Sequence, residues 1–279
     1  MRVRSVIVGV SSVVLAAILT WLSVRPKHQR FQYYSSGLDA ELPGKLAGTG
    51  YVQHTIETPD GAVLQGVVRP PATKDGPWLV MFPGNAERQL VPSLGILEDM
   101  RAGQAAGAAV FAYRGYDGST GVPSVTAAEQ DVRSVLAHLE AHFGANPRQF
   151  VLIGYSMGSG LALRGAAERS ARGQAPRALV VLSPYWSLEI APARPWNALW
   201  SSDVYRVDDV VPQLRPPVLI VGALRDDALP VAQHARRLAA ALGTRAEYWE
   251  LPEAGHHDYL QDSQLLARVG QFGLRHAEP

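Results

Sequence analysis

Three residue types in one chain order carry the chemistry of this sequence. Ser156 lies in Gly154-Tyr155-Ser156-Met157-Gly158, Asp226 in Leu224-Arg225-Asp226-Asp227, and His256 in Ala254-Gly255-His256-His257-Asp258. A serine hydroxyl is a poor nucleophile at neutral pH. It becomes a good one when an imidazole takes its proton and a carboxylate holds that imidazole in the right tautomer. The three residues together therefore point to nucleophilic acyl transfer, with Ser156 attacking, His256 moving the proton and Asp226 orienting His256. No metal or organic cofactor is called for by this chemistry.

The serine pattern gains its meaning from its flanks. An apolar run, Phe150-Val151-Leu152-Ile153, precedes it and a helical pattern follows. A sharp strand-to-helix turn with glycines two residues before and two after exposes the serine hydroxyl at the carboxyl end of a sheet, with the helix N-terminus facing developing negative charge. Ser159 also sits between glycines, but inside the helical stretch, where its hydroxyl is not presented. An oxyanion needs two donors. One is the backbone N–H of Met157, the residue after the nucleophile; the other is the N–H of Asn85, in the loop Pro83-Gly84-Asn85-Ala86-Glu87. Gly84 there lets the backbone approach closely. His138 and His142 stand four apart on one predicted helix without a third ligand beside them, and read as a solvated face rather than a metal site.

The elements that must position these groups follow from the hydrophobic pattern. Residues 51–58 and 62–69 bracket Pro59-Asp60-Gly61 and predict a hairpin. From Trp78 onward short, mostly apolar runs at 78–82, 108–113, 150–155, 178–182, 217–222 and 246–251 alternate with helical patterns at 92–106, 124–143, 157–170 and 231–242, and 258–276 closes the chain. Strands apolar throughout and alternating with helices imply a mostly parallel sheet covered on both faces, an α/β fold. Asp226 and His256 then lie in loops leaving the carboxyl ends of strands, the edge on which the serine turn opens.

With these motifs in place, residues 50–276 resemble the α/β-hydrolase superfamily. Within it they look like the membrane-anchored α/β-hydrolase-domain serine hydrolases, a branch that includes protein depalmitoylases. The resemblance rests on Phe82-Pro83-Gly84-Asn85-Ala86, on Tyr113-Arg114-Gly115-Tyr116-Asp117-Gly118-Ser119-Thr120-Gly121, on the serine turn, on the acid loop and on Gly255-His256-His257-Asp258. It implies an α/β-hydrolase fold with an N-terminal antiparallel hairpin, helices on both faces and a small cap at about 184–217. Asp226 is preferred to Asp227 as the acid because it stands four residues before Pro230, and His256 is preferred to His257 because it follows Gly255. Two positions depart from the pattern: Pro83 stands where His is usual, and Asp117 where Gly is usual. The cap segment carries Tyr185, Trp186, Trp196 and Trp200, which either wall an acyl pocket or pack a small core of the cap's own.

The expected reaction is hydrolysis of a carboxylic ester or thioester through an acyl-enzyme, on a small-molecule or lipid-like acyl substrate. An amide or peptide substrate is the alternative on the same triad, and a catalytically silent, membrane-tethered binding protein is the rival of another class. Silent relatives usually lack the serine, the acid or the histidine, whereas this chain has all three.

Composition narrows the field further. The chain is 279 residues long, 47% hydrophobic and 18% charged, and so reads as globular. Its 26 Lys+Arg against 25 Asp+Glu give no long-range attraction for nucleic acid. With no cysteine, thiol nucleophiles, disulfides and thiolate metal sites are excluded. Residues 5–24 form an uncharged apolar run of about the length that spans a hydrocarbon core. The favoured expectation is a single-pass transmembrane anchor over 1–25, a connector over 26–50 and the catalytic domain over 51–279, with a cleaved signal or a core helix as the other readings of the run. Arg2 and Arg4 beside a short tail favour an exterior, periplasmic or lumenal catalytic domain, while Arg25, Lys27 and Arg30 argue the other way.

Overall fold

The computed structural model describes residues 31–191 and 203–276. Its centre is set by strands whose every residue is buried, among them β4 (Trp78–Phe82), β5 (Gly107–Phe111), β6 (Phe150–Tyr155) and β7 (Ala178–Leu182). Such strands need cover on both faces, and adjacent residues of β6 show how they obtain it. Val151 packs on Gly273 of α6 (Ser263–Arg275), and Leu152 faces Gly165 of α4 (Met157–Ala171). Since successive side chains of a strand point to opposite faces, α6 and α4 cover opposite sides. On the α4 side α3 (Val125–Phe143) packs beside it through Val132 and Leu136; on the α6 side Gly270 meets the backbone of Met100 in α2 (Leu90–Arg101).

Among the described residues, eight strands make the main sheet. With β2 (Val52–Glu57), β3 (Val63–Arg69), β10 (Val218–Ala223) and β11 (Ala246–Leu251) their order is β11-β10-β7-β6-β4-β5-β3-β2. The β2–β3 and β3–β5 pairs are antiparallel and all others parallel. This is the α/β-hydrolase fold that the resemblance implies, and its mostly parallel sheet is the one the hydrophobic pattern predicts. Boundaries move where local chemistry overrides the hydrophobic period. Helix α2 begins at Leu90 and ends before Ala102, whose backbone is left-handed. The helix expected over 231–242 is reduced to α5 (Ala235–Leu242). The closing segment divides into a single 3-10 turn, Asp258–Gln261, and α6, where the Asp262 carboxylate caps the helix through Leu265 N–H at 3.0 Å.

Among the described residues a second, three-stranded sheet lies outside the expected set. Strand β1 (Phe31–Gln32) pairs in parallel with β8 (Ser187–Ala191), which pairs antiparallel with β9 (Asp203–Arg206). The segment read as a connector thus contributes a strand, followed by the short helix α1 (Leu42–Leu46). Tyr33 fastens it: its hydroxyl donates to Asp203 at 2.7 Å, and the same carboxylate oxygen accepts from Val125 N–H at 3.0 Å, at the start of α3.

The expectation of a transmembrane helix is corrected. Among the described residues no helix is long and apolar enough to cross a membrane. Residues 5–24, on which that expectation rested, lie outside the described residues, and so does the side of a membrane inferred from their flanking charges.

His138 and His142 do more than line a solvated face. Their rings stack at 5.1 Å, and His54 of β2 meets them edge-on at 5.9 and 5.5 Å. Burial, then the neighbouring imidazoles, hold His54 and His138 below the usual value of 6.5. With the folded value lowered, the unfolded chain binds more protons. The contribution to stability is complete above about pH 6.5 and is lost as pH falls from there through the folded values. We expect thermal unfolding to shift to lower temperature between pH 7 and 5.5, and His138→Leu to flatten that dependence. An unchanged slope in the variant refutes the assignment.

Candidate active site

The turn after β6 places Ser156 in a backbone conformation that side chains rarely adopt, φ 50° and ψ −116°. Such strain survives only where surrounding structure fixes it. Here Ser156 N–H donates to Leu182 O of the neighbouring strand at 2.9 Å, and the glycines permit close contact. A Cβ at Gly154 would lie 2.4 Å from Gly158 O, and one at Gly158 would lie 2.0 Å from Phe82 O. Ser159 is buried and its hydroxyl donates to the Ser156 carbonyl at 2.6 Å, so it is turned away from the site.

Two further loops converge on Ser156 from the carboxyl ends of β10 and β11. His256 Nε2 lies 3.0 Å from Ser156 Oγ, and its Nδ1 lies 2.6 Å from Asp226 Oδ2. All three side chains belong to buried residues. The other carboxylate oxygen of Asp226 accepts from Ala228 N–H at 3.0 Å and Leu229 N–H at 2.7 Å, which fixes the plane of the carboxylate against His256. Asp227, its neighbour, is exposed. His257 sits at the rim with Nδ1 2.5 Å from the Tyr155 hydroxyl. Burial, and then His256, lower its pKa.

Sequence reasoning missed the residues that hold the histidine loop. Tyr155 donates its hydroxyl to the His256 carbonyl at 3.2 Å, and burial raises its pKa, so the phenol stays protonated. Ser183, left-handed at φ 42° and buried, lies 2.9 Å from the Tyr259 hydroxyl. The variable position inside the serine motif and the first residue beyond β7 were the only sequence signals available for Tyr155 and Ser183.

The loop bearing Asn85 passes directly over the serine turn. A Cβ on Gly84 would lie 2.9 Å from the Tyr155 ring and 3.3 Å from Ser156 Cβ. Asn85 is pinned through its side chain, Oδ1 accepting from the Tyr116 hydroxyl at 2.6 Å and Nδ2 donating to Gln32 O at 3.0 Å. Met157 is the first residue of α4, where backbone N–H groups have no partner within the helix. Pro83, at the departure from the resembled pattern, accepts from the Tyr113 hydroxyl at 3.2 Å through its carbonyl.

Above the triad opens a cavity of about 840 Å³, bounded by Ser156, His256, Gly84 and Asn85 at its base. Its walls come from Met81, Ser93, Ile96, Leu188 and Leu260, and from Phe31 to Ser35 of the N-terminal strap. Tyr185 and Trp186 are not in these walls. Tyr185 is buried beside Tyr205, its ring filling the space over Gly160, and Trp186 stacks under Arg237 at 4.4 Å. Tyr185 thus packs on Tyr205 of the cap and on α4, and Trp186 on α5. Trp196 and Trp200 lie outside the described residues.

The α/β hydrolase family model matches residues 79–204. An uncharacterized protein of Mycobacterium tuberculosis strain H37Rv is 31% identical over 225 residues, covering 78% of this chain and 77% of its own. The chain belongs to the α/β-hydrolase family. A second uncharacterized M. tuberculosis protein, from strain CDC 1551, is 28% identical over 274 residues, or 95% of this hydrolase and 93% of the relative. Among solved structures, an esterase from Pyrococcus furiosus superposes with a TM-score of 0.67 at 17% identity, over 87% of this hydrolase and 96% of that chain. A serine hydrolase without a lid from Xanthomonas campestris gives 0.61 at 20% identity, over 84% and 99%. At these identities the two structures speak to the fold of this α/β hydrolase.

Proposed function

We propose that this α/β hydrolase cleaves carboxylic esters or thioesters through an acyl-enzyme on Ser156. The observation that carries the reading is the continuous chain from Ser156 Oγ through both nitrogens of His256 to Asp226, at 3.0 and 2.6 Å, opening on one cavity. In the forward step His256 Nε2 takes the hydroxyl proton as Oγ adds to the carbonyl carbon, and the N–H groups of Asn85 and Met157 receive the oxyanion. The proton then passes to the departing alcohol or thiol. Water, activated by the same imidazole, releases the acid and restores Ser156. The esterase among the structural neighbours and the resemblance to a branch with depalmitoylases agree with this chemistry.

The apolar wall residues Met81, Ile96, Leu188 and Leu260 suit an acyl chain. Hydrolysis of esters and thioesters graded by acyl length is the test, with Ser156→Ala as control. Ser156-dependent turnover of either series supports the proposal, and its absence from both, with well-folded protein, overturns it. Ser93 faces the cavity from α2 with a small side chain. We expect Ser93→Leu to shorten the preferred chain, lowering kcat/KM for the longest good substrate by about tenfold while acetyl esters are little affected. Equal loss at every chain length argues against an acyl site there.

A further inference from the structure

We propose that Tyr116 and Asp117 are positioning residues for the oxyanion loop, acting on it from a separate turn of the chain. The inference rests on the hydrolase reading, in which Asn85 N–H receives the oxyanion. Asp117 is completely buried and left-handed, with φ 44°, a conformation in which glycine is at ease and aspartate is strained. Its carboxylate explains why aspartate stands there. Oδ2 accepts from Gln89 N–H at 2.6 Å and from Leu90 N–H at 2.8 Å, capping α2 where that helix leaves the oxyanion loop. The cap comes from 28 residues further along the chain, so it ties two loops together rather than finishing a local turn.

From that tie the contacts lead back to Asn85. Gln89, fixed through its backbone by Asp117, donates from Nε2 to Gly84 O at 3.1 Å, and its Oε1 accepts from Tyr113 N–H at 3.1 Å. Tyr116, next to Asp117 and fully buried, donates its hydroxyl to Asn85 Oδ1. Either side of the donor is therefore held from the same turn. The turn is itself immobilised: Arg114 donates to Asp131 at 2.6 and 3.0 Å and to Asp60 at 2.6 Å, and Ser36 Oγ accepts from Asp117 N–H at 2.9 Å. An oxyanion donor contributes only if it is in place before charge develops, so a rigid mount for Asn85 acts on the transition state and leaves ground-state binding alone.

The variants separate this role from simple structural support. Asp117→Gly suits the left-handed backbone and removes only the carboxylate. Tyr116→Phe keeps the ring and removes the hydroxyl's bond to Asn85 Oδ1 together with the longer one it accepts from Tyr34 N–H at 3.3 Å. Asp117→Asn keeps an acceptor oxygen for the helix. Complete loss of an oxyanion donor costs about 10²–10³ in kcat, so a displaced donor in Asp117→Gly and in Tyr116→Phe is expected to cost about tenfold, with KM within about twofold. Asp117→Asn is expected to recover most of that loss. Each variant is assayed on the best ester of the graded panel, with thermal unfolding measured alongside. Wild-type kcat in Asp117→Gly and Tyr116→Phe, a loss appearing in KM alone, or no recovery in Asp117→Asn overturns the positioning role. If Asp117→Gly does not fold, Tyr116→Phe decides by the same criterion. Wild-type protein without Ser156-dependent turnover overturns the hydrolase reading itself, and is distinguished by that control.

Discussion

Ser156→Ala is expected to lower ester turnover by at least about 10⁴-fold while leaving the protein folded. The hydroxyl 3.0 Å from His256 Nε2 is the nucleophile of the proposed reaction. Without it the oxyanion donors and the cavity still bind substrate, so KM for the residual activity should change far less than kcat. Alanine inherits the left-handed backbone of Ser156, which the glycines at 154 and 158 and the hydrogen bond to Leu182 continue to enforce. No carbon packing is lost, and the melting temperature should move by only a few degrees, as for a substitution that opens no cavity. Turnover and thermal unfolding on the same preparation check both halves. Activity within tenfold of wild type would remove Ser156 from the mechanism.

Asp226→Asn is expected to cost about 10⁴-fold in kcat, and Asp227→Asn less than about twofold. The two residues are adjacent, yet their surroundings differ. Asp226 is buried, with one oxygen on Ala228 and Leu229 N–H and the other on His256 Nδ1. In the asparagine variant the backbone donors select the amide oxygen, which turns the NH₂ toward Nδ1. A donor now faces that nitrogen, so the imidazole carries its proton on Nε2 and cannot accept one from Ser156. Asp227 is exposed, and its amide changes nothing in this chain of bonds. Parallel kcat measurements on the two variants decide the assignment, and an inactive Asp227→Asn beside a normal Asp226→Asn reverses it.

Much of this site could be read from the sequence because the decisive signals are local. The apolar run before Ser156, its paired glycines and the helix after it are contiguous, and each has a steric reason. Asp226 and His256 each follow a strand by a few residues, and parallel strands bring such loops to one edge. What escaped is non-local. Phe31 pairs with Ile190, a partner some 160 positions away, and two residues of strand carry no period to detect. Part of the cavity wall consequently comes from residues 31–35 and Leu188, while Tyr185 and Trp186, chosen for their aromatic bulk, are spent on packing over Gly160 and under Arg237. His54 joins His138 and His142 only through the packing of β2 on α3. Asp117 was visible as a departure from pattern, but its hold on α2 depends on a helix start that the hydrophobic period placed two residues too late. The apolar run at 5–24 was legible as a length and a composition, yet the transmembrane helix drawn from it is not among the described helices.

The claim that everything else depends on is covalent: acyl transfer passes through Ser156. Treatment of the protein with a fluorophosphonate, followed by mass spectrometry of the intact chain and its peptides, reads it directly. One adduct per chain is expected, located in the peptide containing Gly154-Tyr155-Ser156-Met157-Gly158, and none on Ser156→Ala. Folded protein that stays unmodified, or an adduct on any other residue, would contradict it.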